Sequence, residues 1–439
     1  MFKKNSLVKG TLLLTLTGFT SRFIGFFYRS FLSYTFGEES VGLYQLIFPV
    51  FALCYSLTTT GIETALSRIV SQNMAKNNIS GALKNLYTGL TMSLISSFIM
   101  MILIQSYSSW ISIHILNDLR CSPLLIMMSY SLPFSSVHSC ICGYYFGKKQ
   151  AKIPAFSQLI EQIFKVSSVF LLCLFMLRHN IVLPLSIAVT GLCIGEIASS
   201  SFCVWMLTRQ EPSILWNHTS IFSLFDQVRS IFTFSFPLTA NRVSLNLLQG
   251  IEAVSIPSSL RVSGCTMIDA LRIYGVLTGM SLPCILFPSA IANSVSTMLL
   301  PSIAELQQKK EKSCLIKLIF EVVISIFCLG FFCTICFLLF GRLMGNLLFH
   351  SSLSGQFIVT LSWICPFLYS NNTLISILNG LGKTSTTFLI HSFGLSIRIL
   401  SVFFLIPVFG IIGYLWGLLG SQFLITCLSV SCLWKYFSK

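Results

Sequence analysis

The sequence has 439 residues, of which 54% are hydrophobic and 9% charged, and its mean hydropathy is +0.83. Soluble domains carry about 25% charged residues, so an ordinary soluble enzyme or binding module is excluded. Apolar runs of about 20 residues match a hydrocarbon core of about 30 Å, and only helices satisfy their own backbone there, so the chain reads as an all-α polytopic membrane protein. The net charge of +15 comes from 28 Lys and Arg against 13 Asp and Glu. A nucleic-acid binder would gather such charge on one face among aromatics. Here it sits in short loops on alternate sides of the apolar runs, so no nucleic acid is expected as partner.

Polar and Gly/Pro punctuation predicts twelve helices, at 7–33, 41–62, 86–106, 122–146, 154–177, 182–207, 228–254, 271–299, 315–340, 356–379, 385–407 and 410–434. Lys3, Lys4 and Lys9 ahead of Leu12 resemble the start of a signal peptide, but no small-residue cleavage site follows, and the segment reads as an uncleaved first span. With the N-terminus in the cytoplasm, 18 basic residues lie at the inner face and five (Arg120, Arg178, Arg261, Arg272, Arg342) at the outer. That bias predicts a multi-pass protein of the cell membrane with both termini cytoplasmic. The 16 cysteines fall mostly inside apolar segments, where Cys acts as a small hydrophobe; Cys333 and Cys336 form a CxxC within such a run and are read as packing.

The two halves repeat. Ser21-Arg22 matches Asn241-Arg242, Phe48-Pro49 matches Leu282-Pro283, Pro133-Phe134 matches Pro366-Phe367, and Gly147-Lys148 matches Gly382-Lys383, at shifts of 220, 234, 233 and 235 residues. Six spans is an even number, so the halves share one orientation and form a parallel repeat. The expected architecture is an N-lobe at 1–208, a cytoplasmic connector at 209–227 and a C-lobe at 228–439, two six-helix lobes around a central cavity.

A basic residue near the bilayer centre costs about 2.5–3.5 kcal/mol on insertion scales, so each needs a partner or a wet cavity. Arg22, Arg29, Lys165, Arg242 and Arg398 meet that description. Gly18, Arg22, Gly25 and Arg29 fall on one helical stripe, whose glycines leave room near the guanidinium groups. The seventh span repeats the stripe with Arg242, Asn246 and Gln249, Gln249 standing at the place of Arg29. These residues are the expected substrate-binding set together with Lys165 and Arg398, which correspond when Ser168-Val169-Phe170 is aligned with Ser401-Val402-Phe403. The alternative for the arginines is bonding to helix ends or snorkelling to an interface.

The acidic residues inside spans are Glu161, Glu196 and Glu252, with Glu63 at an inner helix end. Glu161 and Lys165 have the i, i+4 order that favours an intrahelical pair. Glu196 follows the small pair Gly191 and Gly195, which favours close packing, and has no basic residue one turn away; it must pair across helices or take a proton. All three are coupling candidates, Glu196 foremost. His138 and His391 read as isolated packed residues; no cluster has metal-ligand spacing, and no metal or cofactor is expected. Pro49, Pro133, Pro283 with Pro288, and Pro366 interrupt four spans and permit bends.

The stretches KGTLLLTLTGFTSRFIGFFYRSFLSYTFGEESVGLYQLIFPVF (Lys9 to Phe51), SFPLTANRVSLNLLQGIEAVSIPSSL and IYGVLTGMSLPCILFPSAI resemble the stage V sporulation protein B family, within the multidrug/oligosaccharidyl-lipid/polysaccharide exporter superfamily. The resemblance implies a flippase for an undecaprenyl-diphosphate-linked peptidoglycan or oligosaccharide precursor in spore cortex synthesis. It also implies a cavity-lining basic residue in the SRxxGF motif, here Arg22, and another in the NR of the seventh span, here Arg242. Many relatives carry two further C-terminal helices that help hold a lipid tail, without counterpart after the twelfth predicted span. The partners expected are the bilayer, an anionic polyprenyl-linked oligosaccharide and, if transport is ion-coupled, H⁺ or Na⁺. A multidrug cation antiporter of the same fold is the alternative and would need an acidic cavity stripe. An integral membrane transferase would need a carboxylate pair or a His-centred acid–base site, which the sequence does not offer, so no enzyme is expected.

Overall fold

The computed structural model describes residues 2–211, 221–293, 295–296, 303 and 312–437, with side chains from residue 13 onward except at 221–226 and 312. Among the described residues every regular element is a helix. The first half contains α1 (Phe2–Tyr55), α2 (Gly61–Ala75), α3 (Ile79–Trp110), α4 (Cys121–Ser129), α5 (Ser131–Gly147), α6 (Lys152–Arg178) and α7 (Ser186–Gln210). The second contains α8 (Ile221–Val262), α9 (Met267–Gly275), α10 (Leu282–Leu286), α11 (Lys312–Phe349), α12 (Ser352–Leu361), α13 (Cys365–Gly380), α14 (Thr384–Phe404), α15 (Ile406–Phe409) and α16 (Ile411–Phe437). Nine helical stretches of the described residues are long and apolar enough to cross a membrane, and ten when the bent pair α4 and α5 counts as one span. The protein is an all-α multi-pass membrane protein. Its 16 cysteines are free thiols, with Cys333 and Cys336 inside α11.

The first two predicted spans are joined at Gly37, whose φ of 80° kinks α1 in a conformation that glycine adopts without Cβ strain. The predicted end of the second span at 62 is too early. After one wide π turn, Ser56–Thr60, helix continues through α2 to Ala75, so Glu63 stands within a helix rather than at its end. The extension is amphipathic, burying Ile62, Ala65, Leu66, Ile69 and Val70 at helical spacing. A search for continuous apolar residues stops where such a helix acquires a polar face. For the same reason α3 begins at Ile79, before the predicted 86; Asn78 caps it by accepting from the Gly81 amide at 2.8 Å.

Three of the prolines act through the carbonyl that each leaves without its donor, four residues upstream. Pro133 would have bonded Ser129, where α4 ends and the pair bends by 40°. Pro283 would have bonded Gly279, inside the π turn Val276–Ser281, and Pro366 would have bonded Ser362, which opens the 3₁₀ turn Ser362–Ile364. Pro49 sits within α1 without a break, and the nearest irregularity follows it at Ser56–Thr60.

The chain forms two compact units, one of Met1–Gly25 with Leu46–Gly250 and the other of Phe26–Gln45 with Ile251–Lys439. These bounds differ from the lobes expected at 1–208 and 228–439: residues 26–45 pack with the second unit, and 228–250 with the first. Of the expected connector, 212–220 lie outside the described residues, as do 304–311 with Lys309 and Lys310, part of the basic group expected at the inner face.

In the first unit α2, α3, α5 and α7 enclose a core of Val70, Leu86, Ile141, Tyr144, Tyr145 and Cys203. In the second, α11, α13, α14 and α16 enclose Ile319, Leu374, Ile377, Ile390 and Ile425. A second feature of that unit is the seam between α1 and α9. A Cβ on Gly42 would stand 2.1 Å from the Leu271 carbonyl oxygen, and one on Gly275 2.4 Å from that of Glu38. Only glycine permits this approach, and Arg272 closes its end by donating to Glu38.

Candidate functional site

Two glycines on α7 organise the polar interior of the first unit. A Cβ on Gly191 would stand 2.1 Å from Val169 Cγ2, and one on Gly195 2.8 Å from the Glu161 carbonyl oxygen and 3.1 Å from Lys165 Cβ. The small pair therefore lets α7 lie against α6 and brings Glu196 beside Glu161. Gly143 does the same for α5 against α2, where an added Cβ would meet the Glu63 carbonyl oxygen at 2.7 Å.

The ligand atoms of His138 on α5, Glu161 on α6 and Glu196 on α7 lie within 4.8 Å of one another. His138 Nδ1 is 3.5 Å from Glu196 Oε2, and the two side chains are 14% and 13% exposed. Two expectations are corrected here. His138 is not an isolated packed residue, and a cluster that could hold a cation exists: His138 with the two carboxylates, or His138 with Cys142 and Cys203. Three different helices supply the members, so no linear spacing announces them. The signal available was the cost of each buried charge, which obliges such groups to meet. Glu196 finds its cross-helix partner in His138, and Lys165 follows Glu161 by one turn within electrostatic range of it.

On the N-terminal part of α1, the space beside Gly18 is open, and a Cβ on Gly25 would approach only Gln162 Oε1, at 4.0 Å. Arg22, between them, is exposed. On α8, Arg242 and Gln249 are exposed, while Asn246 is half-buried and donates to the Ala52 carbonyl at 3.1 Å. Glu63 lies within electrostatic range of both Arg242 and His138.

The remaining candidates belong to the second unit and are engaged there. Arg29 Nη1 donates to the Thr278 carbonyl at 3.3 Å, within the π turn that precedes α10. Arg398 Nε stands 2.7 Å from Glu252 Oε1, with Glu252 only 4% exposed. The Nε–H is not directed along that line, so the contact is ionic more than a directed hydrogen bond. Tyr414 Oη donates to Glu252 Oε1 at 2.7 Å and accepts from Arg398 Nη2 at 3.4 Å. An apolar cavity of about 520 Å³ beside Trp363, Phe367, Leu415 and Trp416 has no charged lining and offers nothing to an anionic head group.

The sequence pattern of the polysaccharide biosynthesis protein family matches residues 7–307. The chain belongs to that family. Over 437 residues it is 26% identical to stage V sporulation protein B of Bacillus subtilis, which covers 98% of this chain and 84% of that protein. Among solved structures, the lipid II flippase MurJ in an inward closed conformation aligns with a TM-score of 0.74 at 14% identity, over 96% of this chain and 87% of that one. An inward-facing MATE family multidrug resistance transporter of the MOP superfamily aligns with a TM-score of 0.73 at 13% identity, over 95% and 94%. Membership of the family is thus joined to a fold shared with flippases and drug transporters.

Proposed function

We propose that the protein is a flippase that moves an undecaprenyl-diphosphate-linked peptidoglycan or oligosaccharide precursor outward across the cell membrane by alternating access, in spore cortex synthesis. The observation that carries this is the exposure of Arg22 and Arg242 on spans of the first unit, Arg22 beside the open space at Gly18. A guanidinium facing hydrocarbon at that depth is costly, so these side chains line a water-filled cavity. Arginine suits a diphosphate because its planar fork binds phosphate oxygens in pairs and stays charged at physiological pH. Lys165, Asn246 and Gln249 complete the head-group site. Arg29 and Arg398 hold helices, Arg29 through the Thr278 carbonyl and Arg398 through buried Glu252. The similarity to stage V sporulation protein B supports the substrate class. A multidrug cation antiporter would need an acidic stripe where this chain places arginines.

Both termini are cytoplasmic in this proposal. Cysteine-accessibility labelling should find residues 148–152 and 309–312 facing the cytoplasm and Glu38, Glu39 and Gly264 outside; the reverse pattern would overturn the orientation.

The inside-negative potential contributes about 2.3 kcal/mol per charge per 100 mV, which favours outward movement of an anion. Exchange of labelled lipid-linked oligosaccharide in liposomes holding the purified protein should therefore accelerate under a potassium-diffusion potential, and should survive Glu196→Gln. Loss of exchange in Glu196→Gln with no response to the potential would mean that an ion gradient, not the potential, supplies the energy for transport. No exchange at all would remove the flippase assignment.

A further inference from the structure

The cluster around His138 is not explained by an anion-binding cavity, and its hydrogen bonds define a protonation chemistry. Ser157 Oγ donates to the Pro154 carbonyl at 2.9 Å. Its lone pair therefore receives the Nε2–H of His138, at 3.0 Å. That bond fixes Nε2 as the protonated nitrogen of the neutral ring and turns basic Nδ1 toward the carboxylates. Facing it at 3.5 Å is Glu196 Oε2, which is buried and has no hydrogen-bond partner. A buried acceptor left in that state is costly, and a proton on either atom would satisfy both.

Charge leads to the same place. Glu161 and Glu196 bring two negative charges, and Lys165, beside Gly195 and one turn from Glu161, brings one positive charge. With neutral His138 the group is negative by one, and a single proton balances it. Glu63 on α2 faces the cluster with its own counter-charge, Arg242 on α8. Tyr55 at the end of α1 shares a hydrogen bond with Ser139, and Cys142 on α5 with Cys193 and Cys203 on α7 add no charge as thiols. A divalent metal ion beside the Lys165 ammonium would leave the group positive. In the second unit Arg398, at the place of Lys165 under a shift of 233, meets Glu252 one to one and needs no proton.

We propose that His138, Glu161 and Glu196 hold one exchangeable proton, taken up from water when the diphosphate of a lipid-linked substrate draws the Lys165 ammonium away from Glu161. The coupling half of this rests on the head-group site proposed above. The only bond formed is N–H at Nδ1 or O–H at a carboxylate, and no other bond changes. Anion and proton bind together, so affinity for the diphosphate rises as pH falls.

Two measurements on the full-length protein in detergent separate the proton site from the coupling. In histidine-¹⁵N NMR, the signal lost in His138→Gln should show the Nε2–H tautomer and gain a proton at Nδ1 as the pH is lowered. Glu196→Gln should move that titration, whereas a change at Ser157 alone would alter only the tautomer. A His138 signal that does not titrate, or a stoichiometric transition metal that co-purifies and is lost in His138→Gln, would overturn the site. Calorimetry with undecaprenyl diphosphate, in two buffers of different ionisation enthalpy, should then show about one proton taken up per lipid bound. The affinity should fall about tenfold per pH unit across the titration. Glu196→Gln, neutral like the protonated acid, should still bind but lose the uptake. Binding without uptake by the unaltered protein overturns the coupling. Failure of the unaltered protein to bind the lipid overturns the head-group site and the coupling with it, while the proton site is decided by the histidine signal.

Discussion

Arg22→Ala and Arg242→Ala are each expected to abolish exchange of lipid-linked oligosaccharide while the protein accumulates at its normal level. Both side chains are exposed on apolar helices, and removing a charge from a span relieves an insertion cost of about 2.5–3.5 kcal/mol, which offsets the loss of Arg242 as a counter-charge to Glu63, so both variants should still accumulate. What is lost is the fork that binds the diphosphate. Two charge-assisted hydrogen bonds at about 1.5–3 kcal/mol each amount to at least a hundredfold in binding. Lysine at either position should restore only part of the activity, since it returns charge without paired donors. Arg29→Ala should behave differently, because that guanidinium already serves the Thr278 carbonyl. It should lower stability modestly and leave exchange per molecule close to normal. Rates normalised to protein in the membrane make the comparison, and full exchange by Arg22→Ala or Arg242→Ala would refute the cavity assignment.

Glu252→Ala is expected to lower accumulation of the protein severely. The change strips from Arg398 and Tyr414 the carboxylate that they share and leaves a half-buried guanidinium uncompensated. Breaking a buried pair from one side typically costs about 3–5 kcal/mol, whereas replacing both members with apolar groups of similar volume is often neutral. The double change Glu252→Leu with Arg398→Met should therefore recover most of the accumulation lost in Glu252→Ala. Exchange by the recovered protein should be near normal if the pair is structural. A double variant that accumulates but does not transport would return Arg398 to the substrate-binding set.

The sequence conveyed the helices better than it conveyed the company that their charged residues keep. Apolar runs place the spans because burial of backbone in lipid leaves few other solutions, yet they miss amphipathic extensions such as Gly61–Ala75, where the pattern changes before the helix ends. Prolines marked the irregular turns because a missing amide has a fixed partner four residues upstream. The Gly191 and Gly195 pair announced a tight contact, and that contact sets Glu196 against Glu161. His138 could not be joined to them from spacing, since packing of α5, α6 and α7 is what carries three distant positions to one place. The pairing of Arg398 with Glu252 was hidden for the same reason: the two lie far apart in the chain and meet only in the folded second unit.

The seam of Gly42 with Leu271 and Gly275 has a consequence for synthesis on the ribosome. Residues 26–45 belong to the second unit, yet they are made long before the strip of α9 that covers them. At about 5–20 residues per second, roughly 10–45 s of translation separate the two. During that interval the glycine face is inserted with no partner, and Glu38 stands at the end of its helix without Arg272. The seam therefore closes late: it cannot form until residues 267–275 have been made and inserted.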